Sequence, residues 1–429
     1  MWYVLHFIPI FLFIALFVGS GVYFTLLGIP NAFYQFSPIT AIIPAIALAW
    51  ILNRGSTQQK MHDFLDGVRH RDIITMCIIF LLAGAFSEVT KQIGSVEATV
   101  NFALSLIPPQ FLLIGLFLVA AFVATSIGTS MGTIATIAPI GFALSQQIDL
   151  SPSLCVATVV GGAMFGDNLS IVSDTTIAAV MSQEADMKEK LKLNAKVAFI
   201  ASILTMILLI FNTNSQAIID VKHYDLMLVT PYLLLILLAI SGVNVFVSLF
   251  ISIAFTGMVG AFAKDGYGVL LFSQDLNKGF ASMNEIMLLS LMVGGLSGLA
   301  GKGFIQEMAN SLSNWISRQN AGPKITQLLI AKLVSIFDIL LANNTIAIIF
   351  TGEIAREISK KHKIPAHYTA AWLDIFSCVF QGIIPYGAQI LLASAIAQVS
   401  PLAIVPHVYY CYCLGLVAVC YIVFGKIKT

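Results

Sequence analysis

Two aspartates seven residues apart, Asp167 and Asp174, interrupt an otherwise apolar stretch. Hydroxyl groups accompany them at Ser170, Ser173 and Thr175. Carboxylate, hydroxyl and carbonyl oxygens are the ligands that a hard cation prefers. Helix capping is the alternative use of an aspartate beside a break, but two acids in one break exceed what capping requires. We therefore predict a site for a hard cation at this break, centred on the two aspartates.

The chain around this segment is too apolar for a water-soluble protein. Its 429 residues have a mean hydropathy of +0.92, and 58% are hydrophobic while only 10% are charged; soluble chains carry about 25% charged residues. The chain has 22 Lys and Arg residues and 21 Asp and Glu residues, so it lacks the net positive charge that would attract nucleic acid. We predict a polytopic membrane protein in a lipid bilayer that is neither an enzyme nor a nucleic-acid binder and needs no cofactor.

The apolar runs show where the chain crosses the membrane. A single helical span needs about 20 residues, and eight runs have roughly that length: 2–27, 37–52, 73–93, 197–211, 226–240, 244–263, 285–301 and 407–424. Four more are too long for one span, since each would exceed about 45 Å as a helix: 110–147, 152–182, 325–358 and 367–398.

Polar clusters interrupt each of the four long runs near its middle, at 126–133, 166–176, 338–345 and 381–389. Unwound backbone at membrane depth is tolerated only where it is buried or lines a cavity, because lipid offers it no hydrogen bonds. The four breaks therefore predict one shared polar site.

The landmarks recur in the same order at a displacement of about 214 residues. Lys and Arg concentrate on the cytoplasmic side of membrane proteins. With cytoplasmic termini, 17 of them lie inside and 4 outside, and corresponding loops of the two halves swap sides. The predicted fold is all-α, with about ten transmembrane helices plus two re-entrant hairpins, broken helices at the midplane, and two inverted repeats, 1–220 and 221–429.

Inverted repeats, broken helices and a midplane site together describe alternating-access secondary transporters. A membrane scaffold, or an enzyme with buried substrate access, needs neither the repeat nor the breaks. A channel-like or structural membrane protein is a further alternative, which a cavity closed to one side at a time would oppose. Burial also favours the protonated form of a carboxyl group. A proton and a sodium ion would then compete for one carboxylate, which is the simplest chemistry for exchange.

The other breaks supply further candidates. Thr129 and Ser130, at the tip of the first hairpin, are predicted ion ligands, although small residues there could serve helix packing alone. Neutral polar groups in the second half could bind a small organic substrate or satisfy unwound backbone: Asn343, Asn344, Thr345, Tyr386 and Gln389.

Two more acids are predicted as proton relays, because an ionisable group in a membrane segment is costly unless it has a function. Asp338 lies six residues from Lys332, on another helix face, so no direct salt bridge is expected. Asp374 could instead be a partner for Lys332 or Lys302.

Three motifs resemble the NhaC-type sodium/proton antiporter family of the ion transporter superfamily. Residues 166–176 resemble its signature, 128–133 its GTS-type segment, and 384–387 its Pro-aromatic turn. The resemblance implies sodium-coupled exchange across the bacterial cytoplasmic (inner) membrane, by a homodimer with a scaffold domain and a moving transport domain. It also implies a Na⁺ site at Asp167 and Asp174, with Ser170, Ser173 and Thr175 as further ion ligands. The sequence departs from the family pattern at Asn168, where Lys is common, and at Ile171, where Pro is common.

The sequence therefore predicts a sodium/proton antiporter with Na⁺ and H⁺ as its transported ions. Relatives of the family also exchange malate and lactate or move amino acids. The alternative is a sodium- or proton-coupled carrier of an amino acid or small carboxylate, bound by the amides and the phenol of the second half.

Overall fold

Helices make up most of the described part of the chain. The computed structural model describes residues 8–27, 29, 35–106, 108, 111–147, 150–171, 173–213, 223–241, 243–300 and 322–425, and contains no strand in these ranges. The predicted boundary between the halves, at 220 and 221, lies outside them.

Twenty α-helices account for the described part of the chain: α1 Ile8–Leu26, α2 Pro38–Leu52, α3 Thr57–Val68, α4 Arg71–Gln92, α5 Ser95–Leu106, α6 Leu112–Ile127, α7 Ser130–Gln147, α8 Pro152–Leu169, α9 Asp174–Gln183, α10 Met187–Phe211, α11 Leu226–Ile240, α12 Val245–Ala263, α13 Val269–Ser282, α14 Asn284–Ala300, α15 Pro323–Leu341, α16 Asn344–Lys361, α17 Ala366–Gln381, α18 Ala388–Ala397, α19 Pro401–Ile404 and α20 Tyr409–Phe424.

Several of these helices are long and apolar enough to cross a membrane. Five stretches meet both criteria, and a pair bent by 99° could form a sixth span: Ile73–Gln92, Pro152–Gln183, Met187–Phe211, Phe246–Ala263 and Val269–Leu299, with Ala388–Ala397 and Pro401–His407 as the bent pair. Shorter apolar helices include Ile8–Gly21 and Tyr409–Phe424. The chain is thus a multi-pass membrane protein, and ten crossings remain a prediction.

Helix boundaries lie within all four polar clusters. The first break separates α6 from α7 at Gly128 and Thr129, and the second separates α8 from α9 at 170–173. The third separates α15 from α16 at Ala342 and Asn343, and the fourth separates α17 from α18 at 382–387. Gly128 and Ala342 end their helices in the left-handed conformation, with φ of 76° and 49°. We call these two positions the first and the second tip.

One helix begins earlier than its apolar run suggested. The predicted span was 197–211, but α10 begins at Met187, where the Asp186 side chain accepts a hydrogen bond of 2.8 Å from the Glu189 amide. This extension moves Lys190 and Asn194 from an expected cytoplasmic loop into a helix, with both side chains buried.

The helices form two groups by their contacts: α1–α5 pack with α11–α14, and α6–α10 pack with α15–α20. Glycines allow close approach within each group. A Cβ on Gly84 of α4 would lie 2.4 Å from the Gly279 carbonyl oxygen of α13, and one on Gly166 of α8 would lie 2.3 Å from the Ala124 Cβ of α6. The polar breaks all belong to the second group, and α4 lies against them.

Candidate ion-binding site

The four breaks meet at one cavity of about 100 Å³. All four contribute to its lining, and α4 closes one side: Thr75, Met76, Ile79, Gly128, Thr129, Ser130, Met131, Asp167, Ser173, Asp174, Thr175, Ala342, Asn343, Asn344, Thr345, Gln381 and Gln389. A water molecule needs roughly 10–15 Å³ of such space, so that a cation and several waters fit. The lining is rich in oxygen and amide groups.

Asp167 lies in the last turn of α8 with 5% of its surface exposed. One carboxylate oxygen accepts a hydrogen bond of 2.9 Å from the Ser130 hydroxyl, and the other accepts one of 2.6 Å from the Ser173 hydroxyl. The Ser173 and Thr175 hydroxyl oxygens are 2.9 Å apart. The buried carboxylate thus bonds to one hydroxyl group from the start of α7 and one from the residue before α9, and a third hydroxyl lies next to the latter.

A chain of hydrogen bonds connects this carboxylate to the second half of the protein. The Gln389 amide donates to the Ser130 hydroxyl across 3.1 Å. The Gln381 amide donates to the Gln389 carbonyl oxygen across 2.7 Å and to the Ala342 carbonyl across 3.3 Å. Because Ala342 is the second tip, this one network joins all four breaks. Gln381 lies 214 residues after Asp167, so a neutral amide occupies the position that corresponds to the acid.

Most of the predicted ion ligands line the cavity. Thr129, Ser130, Asp167, Ser173, Asp174 and Thr175 are all part of it. Asp174 has an exposed side chain at the start of α9, unlike Asp167. Ser170 is buried at the end of α8 and is absent from the lining. The two aspartates therefore occupy different environments.

Four of the five predicted substrate residues also line the cavity: Asn343, Asn344, Thr345 and Gln389. The Asn343 side chain caps α16 by accepting a 2.9 Å bond from the Ile346 amide. The Asn344 side-chain oxygen accepts from the Thr345 amide across 3.0 Å, while its side-chain nitrogen has no hydrogen-bond partner among the described residues. Asn344 thus offers a free donor.

Tyr386, the fifth, lies outside the cavity lining. Its hydroxyl donates a 2.6 Å hydrogen bond to the Ile339 carbonyl, and its ring contacts Phe13 edge-on with centroids 5.5 Å apart. The phenol therefore satisfies backbone freed by the broken helices, which was the other use that the sequence allowed.

Asp338 is fully buried in α15 and does not line the cavity. Neither carboxyl oxygen has a hydrogen-bond partner in the described part of the chain. Lys332 is exposed, which agrees with the expectation that the two do not pair.

Asp374 pairs with a lysine that the sequence reasoning missed. Its partner is Lys190 of α10 rather than Lys332, and both side chains are 0% exposed; Lys302 lies outside the described residues. The missed signal was helical spacing, because Lys190, Asn194, Val197 and Ala201 recur at intervals of three or four residues and are all buried. The sequence analysis also did not predict Thr75 of α4, which lines the cavity.

The described residues contain no group of three or more His, Cys, Asp or Glu side chains that could hold a metal ion. The cavity lining offers two carboxylates together with hydroxyl and amide carbonyl oxygens. Oxygen ligands of this kind suit hard cations.

The chain is similar in sequence to known Na⁺/H⁺ antiporters. The model of the Na⁺/H⁺ antiporter family matches residues 3–213. The Na⁺/H⁺ antiporter NhaC of Bacillus subtilis is 24% identical over 391 residues, which cover 83% of this chain and 84% of that protein. The NhaC of Alkalihalophilus pseudofirmus is 25% identical over 296 residues, 64% of each chain.

Among solved structures, the YdaH transporter of Alcanivorax borkumensis covers 95% of this chain and 98% of its own, with 13% identity and a TM-score of 0.44. A likeness of that size carries no argument about mechanism. The sequence matches confirm the family resemblance that the three motifs predicted.

Proposed function

We propose that this chain, a relative of the NhaC-type sodium/proton antiporters, exchanges Na⁺ for H⁺ by alternating access. The observation that carries the proposal is Asp167, a buried carboxylate that faces the cavity and has only hydroxyl partners in the hydrogen bonds described above. A negative charge buried without a cation is costly. The group therefore favours either a bound cation or a proton.

The proposed Na⁺ ligands surround that carboxylate. The Ser130 and Ser173 hydroxyl oxygens already lie within hydrogen-bond distance of it. Thr175 and Thr129 line the same cavity, and Ser170 remains a predicted ligand. Asp174, exposed at the edge of the cavity, would attract the cation without enclosing it.

Competition between Na⁺ and H⁺ for the Asp167 carboxylate couples the transport of the two ions. Na⁺ and H⁺ would occupy the carboxylate one at a time, so that each reorientation of the site carries one or the other. The cavity lies where α4 of the first helix group meets the second group. We propose that the second group moves against the first, which acts as the scaffold, and that two copies associate as a homodimer, as the family resemblance implies.

We propose that the whole chain consists of two inverted repeats, 1–220 and 221–429. The support for this proposal is the recurrence of helix bounds at 214 residues: α7 and α16 begin at Ser130 and Asn344, and α9 and α18 begin at Asp174 and Ala388. The 17 to 4 distribution of Lys and Arg supports the inverted orientation, with both termini on the cytoplasmic side of a bacterial inner membrane.

A second candidate function is sodium- or proton-coupled transport of an amino acid or small carboxylate. The observation that favours it is the free side-chain nitrogen of Asn344, which lines the cavity. An organic carboxylate would accept that hydrogen bond. Asp338 remains a candidate proton relay for either function. The ion pair with Lys190 favours the other role that the sequence allowed for Asp374, the partner of a lysine.

Proteoliposomes that hold a pH gradient and an internal pH dye test the proposal. We expect added Na⁺ to dissipate the gradient, and Asp167→Asn to abolish that response. Asp275→Asn is a matched control. Asp275 is equally buried, but it lies in α13 of the first helix group and accepts hydrogen bonds from Tyr267 and Lys278. If added Na⁺ moves no protons across the membrane of wild-type vesicles, the proposal of Na⁺/H⁺ exchange is wrong. Sodium-dependent uptake of amino acids and carboxylates is then the next assay.

A further inference from the structure

A second polar cluster lies behind the ion site and is built around one carboxylate oxygen. The Lys190 ammonium pairs with an Asp374 oxygen and donates a 2.8 Å hydrogen bond to the Thr176 hydroxyl. The Asn194 amide donates to the same Asp374 oxygen across 2.9 Å. All four side chains are 0% exposed. A buried ion pair is a weak source of stability, so its presence in an apolar membrane domain calls for another reason.

The cluster reaches both ends of the second break. The Asn194 amide also donates to the Asn168 side-chain oxygen across 2.6 Å and to the Asn168 carbonyl across 3.2 Å. Asn168 directly follows Asp167 at the end of α8, and Thr176 directly follows Thr175 in the first turn of α9. One carboxylate thus connects α10 and α17 to the two helix ends that present the ion-binding groups.

We propose that Asp374, Lys190 and Asn194 are positioning residues that set the Na⁺ affinity of Asp167, an inference that rests on the proposed function. The Asp374 carboxylate orients the Asn194 amide and the Lys190 ammonium, which hold Asn168 and Thr176. Those contacts fix the separation of the Asp167 carboxylate from the Ser173 and Thr175 hydroxyls. Lys190 also cancels the charge of Asp374, so that no second uncompensated anion lies beside the site.

The double variant Lys190→Met with Asp374→Leu separates positioning from folding. Replacing a buried ion pair by apolar residues of similar volume is often neutral for stability, so we expect a folded protein. Loss of groups that orient the ligands of a cation typically lowers affinity roughly 10–100-fold. We therefore expect the apparent KM for Na⁺ to rise by that factor, while the maximal rate at saturating Na⁺ changes by less than about twofold, as for an interaction that contributes to binding alone.

Asn194→Leu keeps the ion pair but removes the Asn194 hydrogen bonds to Asp374 and Asn168. It therefore decides the question if the double variant fails to fold. We expect the same rise in KM. Thr205→Val is its matched control on α10, because Thr205 is equally buried and donates to the Ala201 carbonyl of its own helix. A wild-type KM in either folded variant would overturn the positioning role. Wild-type vesicles without Na⁺-driven proton movement would overturn the proposed function instead.

Discussion

Gln389 donates a hydrogen bond of 3.1 Å to the Ser130 hydroxyl, although 259 residues separate the two along the chain. Ser130 in turn donates to Asp167. The carboxylate of the first half is therefore two hydrogen bonds away from an amide of the second half. Neither half completes the site alone. A substitution in the fourth break should therefore change Na⁺ binding at Asp167.

Gln389→Leu tests this connection between the halves. The substitution removes the bond to Ser130 and the acceptor for Gln381. A neutral hydrogen bond contributes about 0.5–1.5 kcal/mol, so we expect the apparent KM for Na⁺ to rise roughly 2–10-fold. Gln327→Leu is the control, because Gln327 is also buried but bonds to Trp372 and Pro323. Equal Na⁺ KM values in the two variants would contradict the connection. Exchange in proteoliposomes gives both values.

Gly128→Ala tests the first tip. Gly128 has φ of 76°, and a left-handed backbone costs a residue with a Cβ roughly 1–2 kcal/mol. Gly266 has the same φ in a loop with open space around it, so that Gly266→Ala should cost a similar amount of stability. Only the first variant should also slow exchange, because Gly128 precedes Thr129 and Ser130 in the cavity wall. Thermal unfolding in detergent and transport rates together decide this. Equal transport by both variants would contradict a functional tip.

Asp174→Asn should be milder than Asp167→Asn. Asp174 lines the cavity but is exposed, and water and salt screen an exposed charge. We expect Asp174→Asn to raise the KM for Na⁺ several-fold. This rise should be smaller at high ionic strength, provided that the added salt contains a cation that the protein does not transport. Asp167→Asn should abolish exchange. An inactive Asp174→Asn beside an active Asp167→Asn would reverse the proposed roles.

The four breaks and most of the cavity lining could be predicted from the sequence. Clusters such as 126–133 carry residues that end helices and cannot remain unpaired in lipid, so their local chemistry is enough to place them. The sequence prediction assigned Lys190 to a loop, because α10 begins ten residues before its apolar run. Only the helical spacing of Lys190 with the buried residues that follow it indicates the helix. The orientation of Tyr386 depends on the packing of α1 and α15 against the fourth break, which no local pattern encodes.

The central claim is that Na⁺ and a proton compete for the Asp167 carboxylate. The most direct measurement is the release of protons when Na⁺ is added to the purified wild-type protein in a weakly buffered detergent solution with a pH dye. We predict release that saturates with Na⁺, is largest at acidic pH where the site is protonated, declines as pH rises, and is absent in Asp167→Asn. Saturable Na⁺ binding without proton release, or equal release from Asp167→Asn, would contradict the account.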